Sequence, residues 1–292
     1  MRTIRMKANA KINLCLDITG RKDNGYHLMD MVMQSVSLYD IVEVSTECGH
    51  EGIQVDSGKK YLYSDERNTV YKAAARFAEA AGIPADGIRI AVRKTIPTRA
   101  GLGGGSADAA AVLAAMNILS GTGMNRQELA AIGEKIGADV PFCVIGGTAR
   151  VTGIGENVRS IIPMKDCGIV ILMPRTGHST PELFSLVDGA GDTLVHPDSA
   201  ACERAVVSGE TQKVAAALGN IFEPFGNTEE TERLKKILLD AGALGACMTG
   251  SGAAVFGIFR HHADAETAAG RMRGYTQRAF AVRPQFEGFS IL

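Results

Sequence analysis

Residues 97–107, PTRAGLGGGSA, have the make-up of a loop that grips a polyphosphate through its backbone. Gly101, Gly103, Gly104 and Gly105 can adopt positive φ and admit a bulky anion to the main chain, and Ser106 is placed to open the helix that follows. A helix start presents unpaired NH groups and the positive end of the macrodipole, so such an anion needs few side-chain charges. The helix itself must be buried, because 109–116 reads AAAVLAAM, and a flexible linker is rarely followed by such a run. No Gly-Lys-Ser/Thr follows the glycines, and Ser106 stands three residues after Gly103, which excludes both a Walker A loop and a GxGxxG dinucleotide fingerprint.

Three further groups could act with this loop. Lys11 and Asn13 project on one side of a strand because their spacing is two. Asp139, in GADVPF, follows a helix end and is expected to be held extended by Pro141. A carboxylate and an ammonium together make a hydroxyl into a nucleophile: one takes the proton, the other steadies developing charge. Taken alone, Lys11 reads equally well as a strand-end surface lysine, and Asp139 reads better as a turn or capping aspartate. Thr249-Gly250-Ser251-Gly252 is an anion nest if it faces the first loop and a hairpin turn otherwise. No HExxH, GxSxG or carboxylate-rich metal cage is present, so a metal is expected to arrive with a nucleotide.

The elements that must position these groups follow from periodicity. Residues 11–18 alternate, with Ile12, Leu14, Leu16 and Ile18 on one face and a polar set on the other. A turn-rich loop at 20–27 leads to strand material at 31–45, then a helix over 68–81. Residues 87–94 read as an antiparallel strand with one polar face, unlike the doubly apolar first strand of a dinucleotide fold. After the buried helix, which runs to about 119, Asn125 and Glu128 have N-cap spacing for a helix to about 136. Beyond Pro163 the pattern gives strands near 168–173, 247–248, 253–259 and 278–283, and helices near 181–187, 199–218, 228–241 and 263–272. This mixture predicts an α+β protein in two layered halves with a break near residue 160.

A length of 292 residues with 46% hydrophobic content supports a substantial core. A formal charge of -1 gives no general attraction to nucleic acid or anionic membrane, so an anionic ligand must be held locally. Cys15, Cys48, Cys143, Cys167, Cys202 and Cys247 lie far apart without CxxC, which predicts buried thiols in a reducing compartment. With no apolar leader and no run long enough to span a bilayer, a soluble cytoplasmic protein is expected.

Residues 101–111 resemble the ATP-binding second motif of the GHMP kinases (galactokinase, homoserine kinase, mevalonate kinase, phosphomevalonate kinase), and TGSGAAVFG at 249–257 resembles their third. AKINLCLDITGRKDNGYH at 10–27 and GADVPFCVIGGTARVTGIGE at 137–156 resemble the branch of that family whose acceptor is a cytidine diphosphate-linked methylerythritol. The four motifs occur in family order, and the similarity runs from about residue 5 to the last strand. The departures are Cys143, where the family often has an aromatic, and Arg150, in a stretch that is commonly more apolar.

The resemblance implies a GHMP kinase fold: an N-terminal ATP-binding domain of ribosomal-protein-S5-domain-2-like topology (1–160) and a C-terminal ferredoxin-like domain (161–292), with the site between them. It implies transfer of phosphoryl from ATP, with Mg2+ brought by the nucleotide, to the 2-hydroxyl of that acceptor on the methylerythritol phosphate route to isoprenoid precursors. Lys11 and Asp139 would be the catalytic pair. Pro97, Thr98, Arg99, Ala100, Gly101, Leu102, Gly103, Gly104, Gly105, Ser106 and Ala107 would wrap the phosphates, with Asn68 and Lys94 near the adenosine. Tyr26 and Phe184 would stack on the two faces of the cytosine, His27 would hydrogen-bond its edge, and Asn13 would hold the acceptor. The expected partner is this small molecule, with no nucleic acid or membrane, in a monomer or homodimer. Two other readings stay open: a kinase of another small alcohol in the same family, and a catalytically silent ATP-binding sensor.

Overall fold

The computed structural model describes residues 1–47, 49–59, 61–175, 179–226, 229–272, 274–276 and 278–292. Cys48, and residue 228 at the start of one expected helix, lie outside the described residues. The chain first runs through β1 (Arg2–Arg21), β2 (His27–Thr46), β3 (Ile53–Asp56), α1 (Thr69–Ala81), β4 (Ile88–Arg93), α2 (Gly104–Ser120), α3 (Arg126–Glu134), α4 (Val140–Ile145), β5 (Thr148–Gly153) and β6 (Asn157–Ser160). It continues through β7 (Gly168–Leu172), α5 (Thr180–Ala190), α6 (Ser199–Ser208), α7 (Thr211–Ala216), β8 (Gly219–Asn220), α8 (Glu223–Gly226), α9 (Glu229–Asp240), β9 (Gly245–Met248), β10 (Val255–Phe259), α10 (His262–Met272), β11 (Ala279–Val282) and β12 (Phe289–Ile291).

Two sheets result. In the first, the order β12-β1-β2-β4-β3 is extended by β5 and β6 on the other end of β2 and by β8 alongside β1. The second has the antiparallel order β11-β7-β10-β9, and with helices after β7 and between β10 and β11 it follows the ferredoxin-like plan. β12 returns to the first sheet, pairing Ile291 with Met6, so the end of the chain is stitched to its beginning.

β1 carries the site residues, and its irregularities decide where they point. Met6 and Ala8 pack in one core, Ala10, Ile12, Leu14 and Cys15 in a second, and Leu16 and Ile18 in the first again. The register against β2 shifts between Asn9 and Lys11 and again between Asn13 and Cys15. Across the first shift β2 advances four residues to two of β1; the second, two residues of β1 to one of β2, is a one-residue slip that exchanges the faces of β1 between Leu14 and Leu16. The single apolar face expected over 11–18 is therefore corrected. Nor is the polar side solvated, since Lys11 is 4% exposed and Asn13 0%.

α2 is apolar all round and packs against α1, α3, α4 and the first sheet, as its composition requires. Its start differs from expectation. Gly103, at φ 66°, occupies the N-cap and makes no side-chain cap, so Ser106 lies within the first turn and does not open the helix. Asn68 caps α1, and Asn125 with Glu128 forms a full capping box on α3. Pro141 does not extend the chain after Asp139. It sits in the first turn of α4, where its missing N–H leaves nothing unpaired. The helical stretch expected at 199–218 breaks at Gly209 into α6 and α7.

The two departures from the family pattern have structural roles. Arg150 bridges β2 and α6 through Asp30 at 2.8 Å and Glu203 at 3.1 Å. Cys143 is buried in the core. Cys15, Cys143, Cys167, Cys202 and Cys247 are all free and buried, and burial pushes the Cys143, Cys167 and Cys247 thiols up, keeping them protonated. Among the described residues, no helix is long and apolar enough to cross a membrane.

Candidate active site

β1 and the start of α4 bring Lys11 and Asp139 together across 128 residues of chain. Lys11 Nζ lies 3.4 Å from Asp139 Oδ2 and donates to Asn13 Oδ1 at 2.7 Å. The lysine side chain is 5% exposed and the aspartate 32%, so a desolvated ammonium steadies a carboxylate that remains open to a ligand. Asp139 makes no side-chain hydrogen bond to α4, although it stands at that helix's N-cap. Its oxygens are thus free of the capping role a lone aspartate would fill.

The glycine loop sits directly on this pair. Lys11 N–H donates to Leu102 O at 3.0 Å, and a Cβ on Gly103 would lie 2.8 Å from Lys11 Cγ. The 249–252 segment faces the loop from the other side, as an anion nest would have to. Ala254 N–H donates to Ala100 O at 3.2 Å, and the Thr249 hydroxyl donates to Gly101 O at 3.3 Å. A Cβ on Gly101, which has φ 72°, would approach Thr249 O to 2.0 Å. Gly101→Ala is therefore expected to cost about 1–3 kcal/mol from the backbone conformation alone, read as a lower urea midpoint. An unchanged midpoint would show that the two loops part freely.

The loop is a partition between two cavities. One, of about 380 Å3, is lined by Asn68, Lys94 and residues 97–106. The other, of about 1090 Å3, is lined by Lys11, Asn13, Asp139, Tyr26, His27, Phe184 and the 250–252 turn. Arg99, Gly101, Gly103 and Ser106 face both. Arg99 holds φ 55°, a conformation uncommon for a residue with a side chain, and makes no ion pair among the described residues. Ala107 is buried behind the loop and lines neither cavity.

Two residues of the smaller cavity are engaged within the protein. Asn68 accepts from Val70 N–H at 3.1 Å and donates to Tyr63 O at 2.6 Å. Lys94 Nζ donates to Asp40 Oδ2 at 2.5 Å and to Asp108 Oδ2 at 2.6 Å. Burial works against the Lys94 charge, but the carboxylates of Asp108 and Asp40 outweigh it and raise the pKa. Burial pushes the Asp108 carboxyl up, and the Lys94 ammonium limits the rise. Asp108 Oδ1 has no hydrogen-bond partner.

In the larger cavity, Tyr26 ends the 22–26 turn with 61% exposure. His27 stacks on Phe184, ring centroids 4.5 Å apart, and Phe184 meets Phe222 edge-on at 5.0 Å. His27 Nε2 lies 2.7 Å from Asp188 Oδ1. Sequence reasoning passed over Asp188, Phe222, Asp40 and Asp108. Only Asp188 had a local signal, standing four residues after Phe184 on the same helix face. Among the described residues, no three His, Cys, Asp or Glu side chains cluster to hold a metal.

The family model for the GHMP kinases N terminal domain matches residues 68–147, and that for the GHMP kinases C terminal domain matches 209–276. A 4-diphosphocytidyl-2-C-methyl-D-erythritol kinase of Clostridium tetani is 41% identical over 92% of this chain and 96% of its own. One of Pelotomaculum thermopropionicum is 40% identical over 94% and 96%. A crystal structure of 4-(cytidine 5'-diphospho)-2C-methyl-D-erythritol kinase superposes with a TM-score of 0.79 at 31% identity, covering 96% of this chain and 98% of the other. Homoserine kinase from Cytophaga hutchinsonii shares the fold, with a TM-score of 0.77 at 21% identity over 100% and 98%. Similarity of this extent, over both halves and nearly the full length of the relatives, means that the chain belongs to the GHMP kinases, in the 4-diphosphocytidyl-2-C-methyl-D-erythritol kinase family.

Proposed function

We infer that the chain is an ATP-dependent kinase that phosphorylates the 2-hydroxyl of 4-diphosphocytidyl-2-C-methyl-D-erythritol, giving the 2-phosphate and ADP on the non-mevalonate route to isoprenoid precursors. The observation that carries this reading is the partition: a glycine loop with one cavity behind it and the Lys11–Asp139 pair in front. ATP would lie in the smaller cavity with its phosphates on the loop and the start of α2, where backbone N–H groups converge. The acceptor would lie in the larger one. Asp139 takes the proton of the hydroxyl as it attacks phosphorus, and Lys11 orients the aspartate and offsets charge on the phosphoryl group in transfer.

Asn13 Nδ2 has only the weak acceptor Met31 Sδ, at 3.4 Å, among the described residues and is the donor left for the acceptor's oxygens. Arg99 reaches the phosphates from the shared wall. Asn68 and Lys94 shape the adenosine end through the elements they tie together. Magnesium brought with ATP would supply charge neutralisation for the phosphates. The Ser106 hydroxyl, on the wall common to both cavities, would be the side chain to hold it. The two halves, 1–160 and 161–292, close the site from opposite sides. The complete constellation lies within one chain, which supports action as a monomer or homodimer. The buried reduced thiols support a cytoplasmic setting.

Tyr26 and Phe184 would take the two faces of the cytosine and His27 its edge, with stacking worth about 1–3 kcal/mol per base. Phe184→Ala is thus expected to raise KM for the cytidine substrate by roughly tenfold or more with little change in kcat. An unchanged KM would assign the ring to packing against Phe222. The direct test of the function is ADP release with magnesium and ATP, comparing 4-diphosphocytidyl-2-C-methyl-D-erythritol with homoserine, mevalonate and galactose. Turnover with the first alone is expected. Turnover with another alcohol would overturn the substrate assignment, and silence with all four from folded, ATP-binding protein would make the chain a sensor.

A further inference from the structure

His27 is gripped by two side chains one turn apart on α5. Phe184 covers a face of the ring at 4.5 Å between centroids, and Asp188 Oδ1 meets Nε2 at 2.7 Å. The spacing of four places both on the same side of the helix. The second oxygen of Asp188 is also fixed: Arg21 Nη1 donates to Oδ2 at 3.1 Å, while Arg21 Nε donates to Gly25 O at 3.0 Å in the turn that carries Tyr26. The carboxylate is therefore pinned to the very loop that forms the mouth of the larger cavity.

An ionised carboxylate only accepts hydrogen bonds, so the hydrogen of this contact belongs to His27 Nε2. In the neutral ring Nδ1 is then an acceptor. Nδ1 has no hydrogen-bond partner among the described residues, and His27 lines the cavity. An acceptor on that wall matches a base edge bearing an amino group. Cytosine presents a 4-amino donor there, whereas uracil presents a carbonyl oxygen. Two acceptors face to face leave both unpaired, which is how a polar site rejects a near-isostere.

We propose that Asp188 is the positioning residue that sets the tautomer of His27 and thereby makes the cavity select a cytosine base over a uracil base. The inference rests on the base-binding reading of the larger cavity given above. Asp188 itself touches no substrate; its effect runs through the ring it orients.

The experiment compares the wild-type enzyme and Asp188→Asn on the cytidine-linked substrate and on its uridine-linked counterpart, with 15N NMR of His27 in both proteins. Asparagine is close in shape, but it can offer either a donor or an acceptor to Nε2, so the tautomer is no longer dictated. Asp188 is 36% exposed, and the change leaves the core untouched. The ratio of kcat/KM for cytidine over uridine is expected to fall by about tenfold in Asp188→Asn, the worth of one hydrogen bond. The fall should come from a higher KM for the cytidine substrate with kcat retained, and the His27 shifts should move away from the Nε2–H tautomer. His27→Ala should lose the same preference, and adding Asp188→Asn to it should cost nothing further. An unchanged ratio or an unchanged tautomer in Asp188→Asn overturns the proposal, as does an additive double mutant. A wild type that handles both bases alike removes the base site and this inference with it. A wild type that discriminates, beside an Asp188→Asn that discriminates equally, removes the inference alone.

Discussion

Asp139→Ala should lower turnover by roughly 10²- to 10⁴-fold, the usual worth of a general base, in a protein that still folds and still binds ATP. The expectation rests on where the carboxylate is and what it does not do. Its side chain is 32% exposed and caps nothing on α4, so removing it leaves no orphaned helix N–H. Lys11 loses one partner but keeps Asn13 Oδ1 at 2.7 Å, which holds the ammonium in place over Gly103. The smaller cavity, proposed for ATP, lies on the other side of the glycine loop and does not include Asp139. Single-turnover rapid-quench kinetics should therefore place the loss in the phosphoryl-transfer step, with substrate KM little altered. Asp139→Asn, which keeps the shape and cannot take a proton, should behave almost as badly. Turnover near that of the wild type in either variant would remove Asp139 from proton transfer. If Lys11 and Asp139 work as one unit, as their 3.4 Å contact suits them to do, Lys11→Met combined with Asp139→Ala should be little worse than either alone.

Those expectations could be framed from sequence only through the family resemblance, because taken alone neither half of the pair carries a decisive local signal. Nothing in the spacing of Lys11 and Asp139 brings them to 3.4 Å. Only the path of β1 beneath the start of α4 does, and the family resemblance supplied what periodicity lacked. Elements with self-contained signals were legible: α1, α3 with its capping box, and α2 with its unbroken apolar run. The register shifts between β1 and β2 were not, because a bulge is a property of a pair of strands and the alternation of one strand does not record its partner's register. β12 was missed for a similar reason. Three residues at the end of the chain become a strand only because Met6, Lys7 and Ala8 present an edge to them. Ser106 illustrates a competition between neighbours: a serine is a good cap, but Gly103 reaches the left-handed conformation first and the helix begins three residues early. The aspartates that organise the site from behind, Asp40, Asp108 and Asp188, each sit in an element whose local pattern is satisfied without them.

Lys94→Met should lower the melting temperature by about 10 °C, since breaking a buried ion pair costs about 3–5 kcal/mol and each kcal/mol is worth about 2–4 °C in a chain of this size class. Lys94 is 6% exposed and is the cation between Asp40, at 0%, and Asp108, at 6%. Asp40 also accepts from the backbone of Thr95 and Ile96, so this cluster fixes the segment that enters the glycine loop. Asp108 belongs to α2, and the same lysine therefore ties the end of β4 to the helix that follows the loop. Without the ammonium, two carboxylates face each other out of water. Protonation of Asp108, already favoured by burial, relieves part of the repulsion and keeps the loss toward the lower end of the range. Asp108→Asn serves as the contrast: it removes a buried charge but retains an acceptor for Lys94, so a much smaller drop is expected. The resemblance places Lys94 beside the adenosine, and the two roles separate cleanly in one pair of measurements. A large loss of melting temperature, with ATP affinity recovered once the protein is kept cool enough to stay folded, would make Lys94 the brace of the loop. A melting temperature close to wild type with ATP affinity lost would mean that its ammonium leaves the two aspartates for the nucleotide.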